Sequence, residues 1–279
     1  MKIVLHVGFP KTGSSTFQYG LLKPLHDSGC LILRTWRQTD LKEHHDRRPS
    51  SRLFCRKPIL PEYLNFSRDR LNVLSDESFT SPVRLRQNQF GLDIENPIQF
   101  PNLIKKQVEA LYGSNIHWSV FVSIRNQKEL IYSQYVEEYN LKKYRNIDIV
   151  FDDDGEVNMS GYEIYRFASY LKILNAIFGK ENVNLLLFES IKFKFDEYCS
   201  QVAKVFELKS HFVKKALQNN HINQKLKTSK GYYTKDASTL VPFFLPKHRR
   251  QIEEYFLSDN LELQQMLGSD YNLSEFEYF

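Results

Sequence analysis

The run Val7-Gly8-Phe9-Pro10-Lys11-Thr12-Gly13-Ser14-Ser15-Thr16 lies directly behind the apolar stretch Ile3-Val4-Leu5. An apolar run that feeds a glycine-bearing turn and opens into a helix predicts a strand–loop–helix unit. The N–H groups of the turn and of the helix N-terminus converge there, and the helix dipole favours negative charge, so the unit is a phosphate cradle. The spacing from Gly8 to Gly13 fits the nucleoside triphosphatase pattern G-x-x-x-x-G-K-[ST], but Ser14 stands at the lysine position. The cation sits inside the loop instead, at Lys11. The chain therefore lacks the Lys-Ser/Thr end that pairs with magnesium. That points away from ATP hydrolysis and towards a different group transfer.

A second anion site follows downstream. Val120-Phe121-Val122-Ser123-Ile124 reads as a buried strand, ending at Arg125-Asn126, with a helix from about Gln127 to Tyr139. Ser133 lies eight residues after Arg125, roughly two helical turns in at about 3.6 residues per turn. A planar guanidinium at a strand end and a hydroxyl on the next helix can hold one phosphate together. Taken singly, an Arg-Asn pair at a strand end is a solvated turn and a helical serine faces water. Behind a phosphate cradle, in this order, the pair is much harder to read as a turn and a solvent-facing side chain.

The string Pro10-Lys11-Thr12-Gly13-Ser14-Ser15-Thr16-Phe17-Gln18 resembles the 5′-phosphosulfate loop of the sulfotransferases, which use 3′-phosphoadenosine-5′-phosphosulfate (PAPS). Arg125 and Ser133, with Tyr135 following, match the pair that holds the 3′-phosphate in that family. The resemblance implies that Lys11, Thr12, Gly13, Ser14, Ser15 and Thr16 hold the 5′-phosphate. It places Lys11 near the oxygen that links phosphate to sulfate. A later stretch, Lys227-Thr228-Ser229-Lys230-Gly231-Tyr232-Tyr233, resembles the loop that covers 3′-phosphoadenosine in glycan sulfotransferases. That would bring Lys230 and Gly231 to the cofactor; the alternative is a lysine-rich surface loop. The implied chemistry is a single in-line displacement at sulfur with no metal.

Such a reaction needs a base for the acceptor hydroxyl. In a parallel sheet, ligands bind beyond the carboxyl ends of the strands, and Leu71-Asn72-Val73-Leu74-Ser75 is a strand candidate that ends at Asp76-Glu77. Heparan-type carbohydrate sulfotransferases use a glutamate at a comparable strand end, so Glu77 is the candidate base and Asp76 the second choice. The competing reading is an acidic helix cap at Ser75 or Asp76.

Strands and helices alternate. A helix is expected at about Ser14 to Asp27, strands at Leu31–Leu33 and Val183–Phe188, and a helix at Leu103 to Tyr112. Residues 82–101 read as loop with a short irregular segment, and 246–267 as two helices. The pattern predicts an α/β, P-loop-like three-layer fold with a central parallel sheet. It is read as a single domain over residues 1–279, with a polar, basic insertion at about 37–61.

Composition mainly excludes. Lys+Arg 38 against Asp+Glu 33 gives a net charge of +5, suited to a polyanionic cofactor but too small and dispersed for nucleic-acid binding. Cys30, Cys55 and Cys199 form no C-x-x-C pair and read as buried or half-buried thiols in a reducing compartment. His6 is expected in the core; His44 and His45 are adjacent and make a poor metal pair; Asp152-Asp153-Asp154-Gly155 is a turn rather than a calcium loop. A strand starting near Ile3 leaves no room for a signal peptide, and no run of eighteen apolar residues could span a membrane, so the expected location is cytoplasmic. The expected partner is an acceptor hydroxyl on a glycan or glycolipid, favoured by the glutamate and the insertion. Two other readings stay open: a P-loop nucleoside or sugar kinase using ATP, and a non-catalytic nucleotide-binding protein.

Overall fold

The computed structural model describes residues 1–35, 48–139, 150–152, 154–218, 226–234 and 236–279. His44, His45, Asp153 and the first part of the insertion at 37–61 lie outside the described residues. Five strands form one sheet: β1 (Lys2–His6), β2 (Leu31–Thr35), β3 (Leu71–Ser75), β4 (His117–Ile124) and β5 (Val183–Leu187), in the order β2-β3-β1-β4-β5. All four pairings are parallel, with His6 opposite both Ser75 and Phe121 and Ile124 opposite Leu187. The architecture is α/β with a central parallel sheet flanked by helices.

Alternation along the strands sends side chains to both faces. Ile3, Leu5, Leu74, Val120, Val122 and Ile124 pack on one side with Phe100, Ile104 and Val108 of the helix Phe100–Tyr112 and with the helix Phe167–Phe178. Val4, Leu33, Val73, Phe121 and Leu186 pack on the other with Phe17, Leu21 and Leu25 and with Tyr198, Cys199 and Val202 of the helix Phe195–Val205. Coverage of both faces is what a parallel sheet requires, and each such side chain contributes about 1.5–3 kcal/mol on burial.

The strand order decides where a ligand sits. From β1 the chain moves to β2 and β3 on one side, then crosses to β4 and β5 on the other. The loops leaving β1 and β4 therefore diverge and open a crevice at the strand C-termini.

Three expectations are corrected. Within 82–101, Val83–Phe90 is a helix, held by buried Leu85 and by Phe90 stacked on Phe54 at 5.7 Å. Pro246–Leu267 is one helix of 22 residues, not two. Cys30 and Cys55 are exposed, and of the three thiols Cys199 alone is buried. The expected first helix is present, with Thr16–Leu22 wound as the wider π form before Lys23–Asp27.

Candidate functional site

The loop after β1 extends the sheet before it turns. The Val7 N–H donates to Phe121 O at 3.0 Å and the Phe9 N–H to Ser123 O at 3.1 Å, so the first leg runs along β4. Thr12 is buried and its hydroxyl donates to Phe9 O at 2.6 Å, closing the turn from behind. Gly8 is required by crowding, because a Cβ there would lie 2.6 Å from His6 Nε2 and 2.9 Å from Ser14 Oγ. Gly13 has φ +85° and a Cβ there would meet the Phe188 ring at 3.2 Å, so both conformation and space exclude a side chain. Lys11 also has positive φ, at 67°, a conformation that costs a non-glycine residue energy and clusters at functional sites. Ser14 belongs to the cleft lining; its hydroxyl is buried and has no hydrogen-bond partner among the described residues.

The end of β4 is tied to this loop. Arg125 NH1 donates to Lys11 O at 3.3 Å, and its guanidinium lies 4.9 Å from the centre of the Phe188 ring, just past β5. On the helix Gln127–Glu138, Glu129, Ser133 and Glu137 are spaced by four and share a face. Glu129 pairs with Arg125 at 3.7 Å and with Arg249 at 3.0 Å, and Glu137 pairs with Lys11 at 3.1 Å. The cations of the loop and of the β4 end thus face one crevice, with carboxylates of a single helix face alternating beside them.

Pro10, Lys11, Gly13 to Thr16, Arg125 and Ser133 line one cleft of about 930 Å³, large enough for a nucleotide and a second substrate. Glu77 lines the same cleft from the opposite side of β1, with Ser78, Ser81, Arg48 and Arg86. Asp76 is buried and caps the short helical turn Glu77–Thr80 by accepting from Ser78 N at 2.9 Å. Burial pushes its carboxyl above the usual range. The capping role therefore falls to Asp76, and of these two carboxylates Glu77 is the one that lines the cleft. Arg86 NH2 donates to Ser81 Oγ at 2.8 Å and Ser78 Oγ at 3.4 Å, fixing a guanidinium in the wall of the cleft that Glu77 also lines. His6 is buried with Nδ1 2.7 Å from Ser75 Oγ, and desolvation lowers its pKa to about 3, so it is neutral and structural at pH 7.

No family model and no curated protein matches the sequence. Solved structures do. The chain is similar to a sulfotransferase from Alicyclobacillus acidocaldarius, at 13% identity over 98% of each chain with a TM-score of 0.49. It is also similar to mouse sulfotransferase SULT7A1 complexed with PAP, at 14% identity over 96% of this chain and 85% of that chain with a TM-score of 0.51. This chain has the sulfotransferase fold.

The stretch Lys227–Tyr233 reaches the cleft through a short hairpin. The hairpin β6 (Gly231–Tyr233) and β7 (Leu240–Pro242) is fastened to the cleft by Tyr132, whose hydroxyl donates to Val241 O at 2.8 Å and accepts from Tyr232 N at 3.2 Å. Lys227 and Tyr232 line the cleft; Lys230 is exposed and Gly231 packs inside the hairpin. A Cβ on Gly231 would lie 2.0 Å from Val241 O, so glycine is needed there for strand pairing. Gly231→Ala is expected to cost about 1–3 kcal/mol, seen as a melting temperature lower by several degrees; an unchanged melt would mean that the hairpin relaxes freely.

Sequence reasoning missed Glu129, Glu137, Phe188 and Arg86, and within the stretch Lys227–Tyr233 it singled out Lys230 and Gly231 rather than Lys227, which lines the cleft. Glu129, Ser133 and Glu137 carry a legible signal, the spacing of four along one predicted helix. The others reach the cleft by tertiary packing. Among the described residues no helix is long and apolar enough to cross a membrane, and no group of three or more His, Cys, Asp or Glu could hold a metal ion.

Proposed function

We propose that this chain transfers the sulfuryl group of PAPS to an acceptor hydroxyl, with the nucleotide held on the β4–β5 side of the cleft and the acceptor on the β3 side. The observation that carries this reading is that the loop residues Lys11 and Gly13 to Thr16 line one cleft together with Arg125 and Ser133, within the sulfotransferase fold. The unpartnered, buried Ser14 hydroxyl in the cleft wall suits an added acceptor such as a phosphate oxygen. Phe17, Ile191, Phe195 and Leu217 line the cleft and suit an adenine ring.

The acceptor oxygen attacks sulfur as the bond to the bridging oxygen breaks, and the electron pair leaves with the nucleotide. Lys11 offsets the charge that develops on that oxygen, Ser14 to Thr16 and the helix N-terminus hold the 5′-phosphate, and Arg125 with Ser133 holds the 3′-phosphate. Glu77 accepts the proton of the attacking hydroxyl. Among the described residues, the β3 side of the cleft is lined by Glu77, Ser78, Ser81, Arg48 and Arg86, all polar or charged. That lining favours a polar, polyhydroxylated acceptor such as a carbohydrate over a phenol.

Calorimetric titration with 3′-phosphoadenosine-5′-phosphate (PAP), AMP and ATP, with and without magnesium, tests the reading. Tight, magnesium-independent binding that needs the 3′-phosphate is expected. Preference for ATP with magnesium would overturn it in favour of a kinase.

A further inference from the structure

We propose that Glu189 and Tyr278 are positioning residues that hold Arg125 in place for the 3′-phosphate, which makes the segment Leu273–Tyr278 part of the nucleotide selectivity of the cleft. The proposal rests on the reading of Arg125 and Ser133 as a 3′-phosphate site.

Arg125 stands at a strand end, where a backbone is free to pivot unless something fixes the next peptide. That peptide is fixed by Glu189: the Asn126 N–H donates to Glu189 Oε1 at 2.9 Å. Tyr278 secures the other carboxylate oxygen, its hydroxyl donating to Glu189 Oε2 at 3.4 Å. The Asn126 side chain ties down the same residue from the far side, donating to Phe276 O at 2.9 Å and to Glu277 O, while its Oδ1 accepts from Lys128 N at 2.9 Å. Asn260 Nδ2 donates to Tyr278 O at 2.9 Å and anchors the segment to the helix Pro246–Leu267. A second circuit reaches the Arg125 head group, since Arg249 bridges Glu277 at 3.8 Å and Glu129 at 3.0 Å, and Glu129 pairs with Arg125.

Glu189 also follows Phe188, the ring that lies under the Arg125 guanidinium and against Gly13. One dipeptide at the end of β5 therefore sets both the plane on which Arg125 rests and the peptide from which it extends. Burial pushes the Glu189 carboxyl above its ordinary value, opposed by the Asn126 N–H, by Arg125 and by the Tyr278 hydroxyl. Burial likewise keeps the Tyr278 phenol protonated, so it remains a donor. A half-buried carboxylate whose two oxygens accept from the backbone beside the arginine and from a distant tyrosine acts on geometry; neither residue lines the cleft.

A residue that acts through Arg125 should alter binding of the 3′-phosphate and spare the rest of the nucleotide. Tyr278→Phe removes one hydroxyl from a buried ring. It is expected to weaken PAP about three- to tenfold, the usual range for one hydrogen bond, with AMP affinity within about twofold. Glu189→Gln keeps the volume and should act in the same direction. The double variant should be no weaker than the stronger single one, because both act on one path. Equal weakening of PAP and AMP, or no change in either, overturns the proposal. Wild-type protein that binds AMP as tightly as PAP overturns instead the 3′-phosphate reading on which it stands.

Discussion

Glu77→Gln is expected to lower the turnover of PAPS with carbohydrate acceptors by about 10²- to 10⁴-fold, the usual contribution of a positioned general base, and to leave PAP affinity within about twofold. Glutamine keeps the length and hydrogen-bonding capacity of the side chain and removes its ability to take a proton. The topology separates the two effects. Glu77 enters the cleft from the β3 side of β1, whereas Arg125, Ser133, Phe188 and Ile191 enter from the β4–β5 side. Asp76 cannot readily substitute, since it is buried and its Oδ1 accepts from Ser78 N. Asp76→Asn should therefore act chiefly on stability through the helical turn that it caps. Turnover by a panel of mono- and polysaccharide acceptors, measured beside PAP titration, decides the matter. Undiminished turnover in Glu77→Gln would remove the residue from the mechanism.

The sheet was legible because its strands are short β-branched and apolar runs, as at Leu71–Ser75 and Val120–Ile124, bounded by turn residues. The helix Val83–Phe90 was not, because VRLRQNQF carries no regular apolar stripe and forms by docking Leu85 and Phe90 onto distant side chains. The polar stretch Ser258-Asp259-Asn260 lies inside the single helix Pro246–Leu267, where two helices were expected. In the fold Asp259 accepts from Ala168 N at 2.9 Å and Ser169 N at 3.1 Å, capping another helix, and Asn260 donates to Gln127 Oε1 at 3.2 Å. Polar residues that mark a turn in a sequence can be buried partners in a structure, and a single chain read locally does not separate the two. The same limit governed the site. Lys11, Arg125 and Ser133 sit at fixed local spacings within strand–loop–helix units, so their pattern survives in one dimension. Glu137 meets Lys11 across 126 positions, and the Asn126–Glu189 contact spans 63, so neither leaves a local trace.

Arg125→Ala is expected to weaken PAP about 10- to 100-fold, corresponding to the loss of charge-assisted hydrogen bonds of about 1.5–3 kcal/mol, and to weaken AMP far less. Arg125 does more than present a charge, because it donates to Lys11 O and rests on Phe188. Some loss of AMP affinity through the loop would therefore be unsurprising in the alanine variant alone. Arg125→Lys separates these contributions. Lysine retains the positive charge but loses the planar fork and the stacked guanidinium face, so it should recover a minor part of the PAP affinity. Titrating PAP and AMP into both variants gives the ratio that matters. If the PAP-to-AMP preference survives in Arg125→Ala, the 3′-phosphate is held elsewhere, and Lys227 on the cleft wall becomes the next cation to replace. If the preference collapses in alanine and returns in part with lysine, charge and geometry both contribute, and the strand end at β4 is where the nucleotide is told apart from AMP.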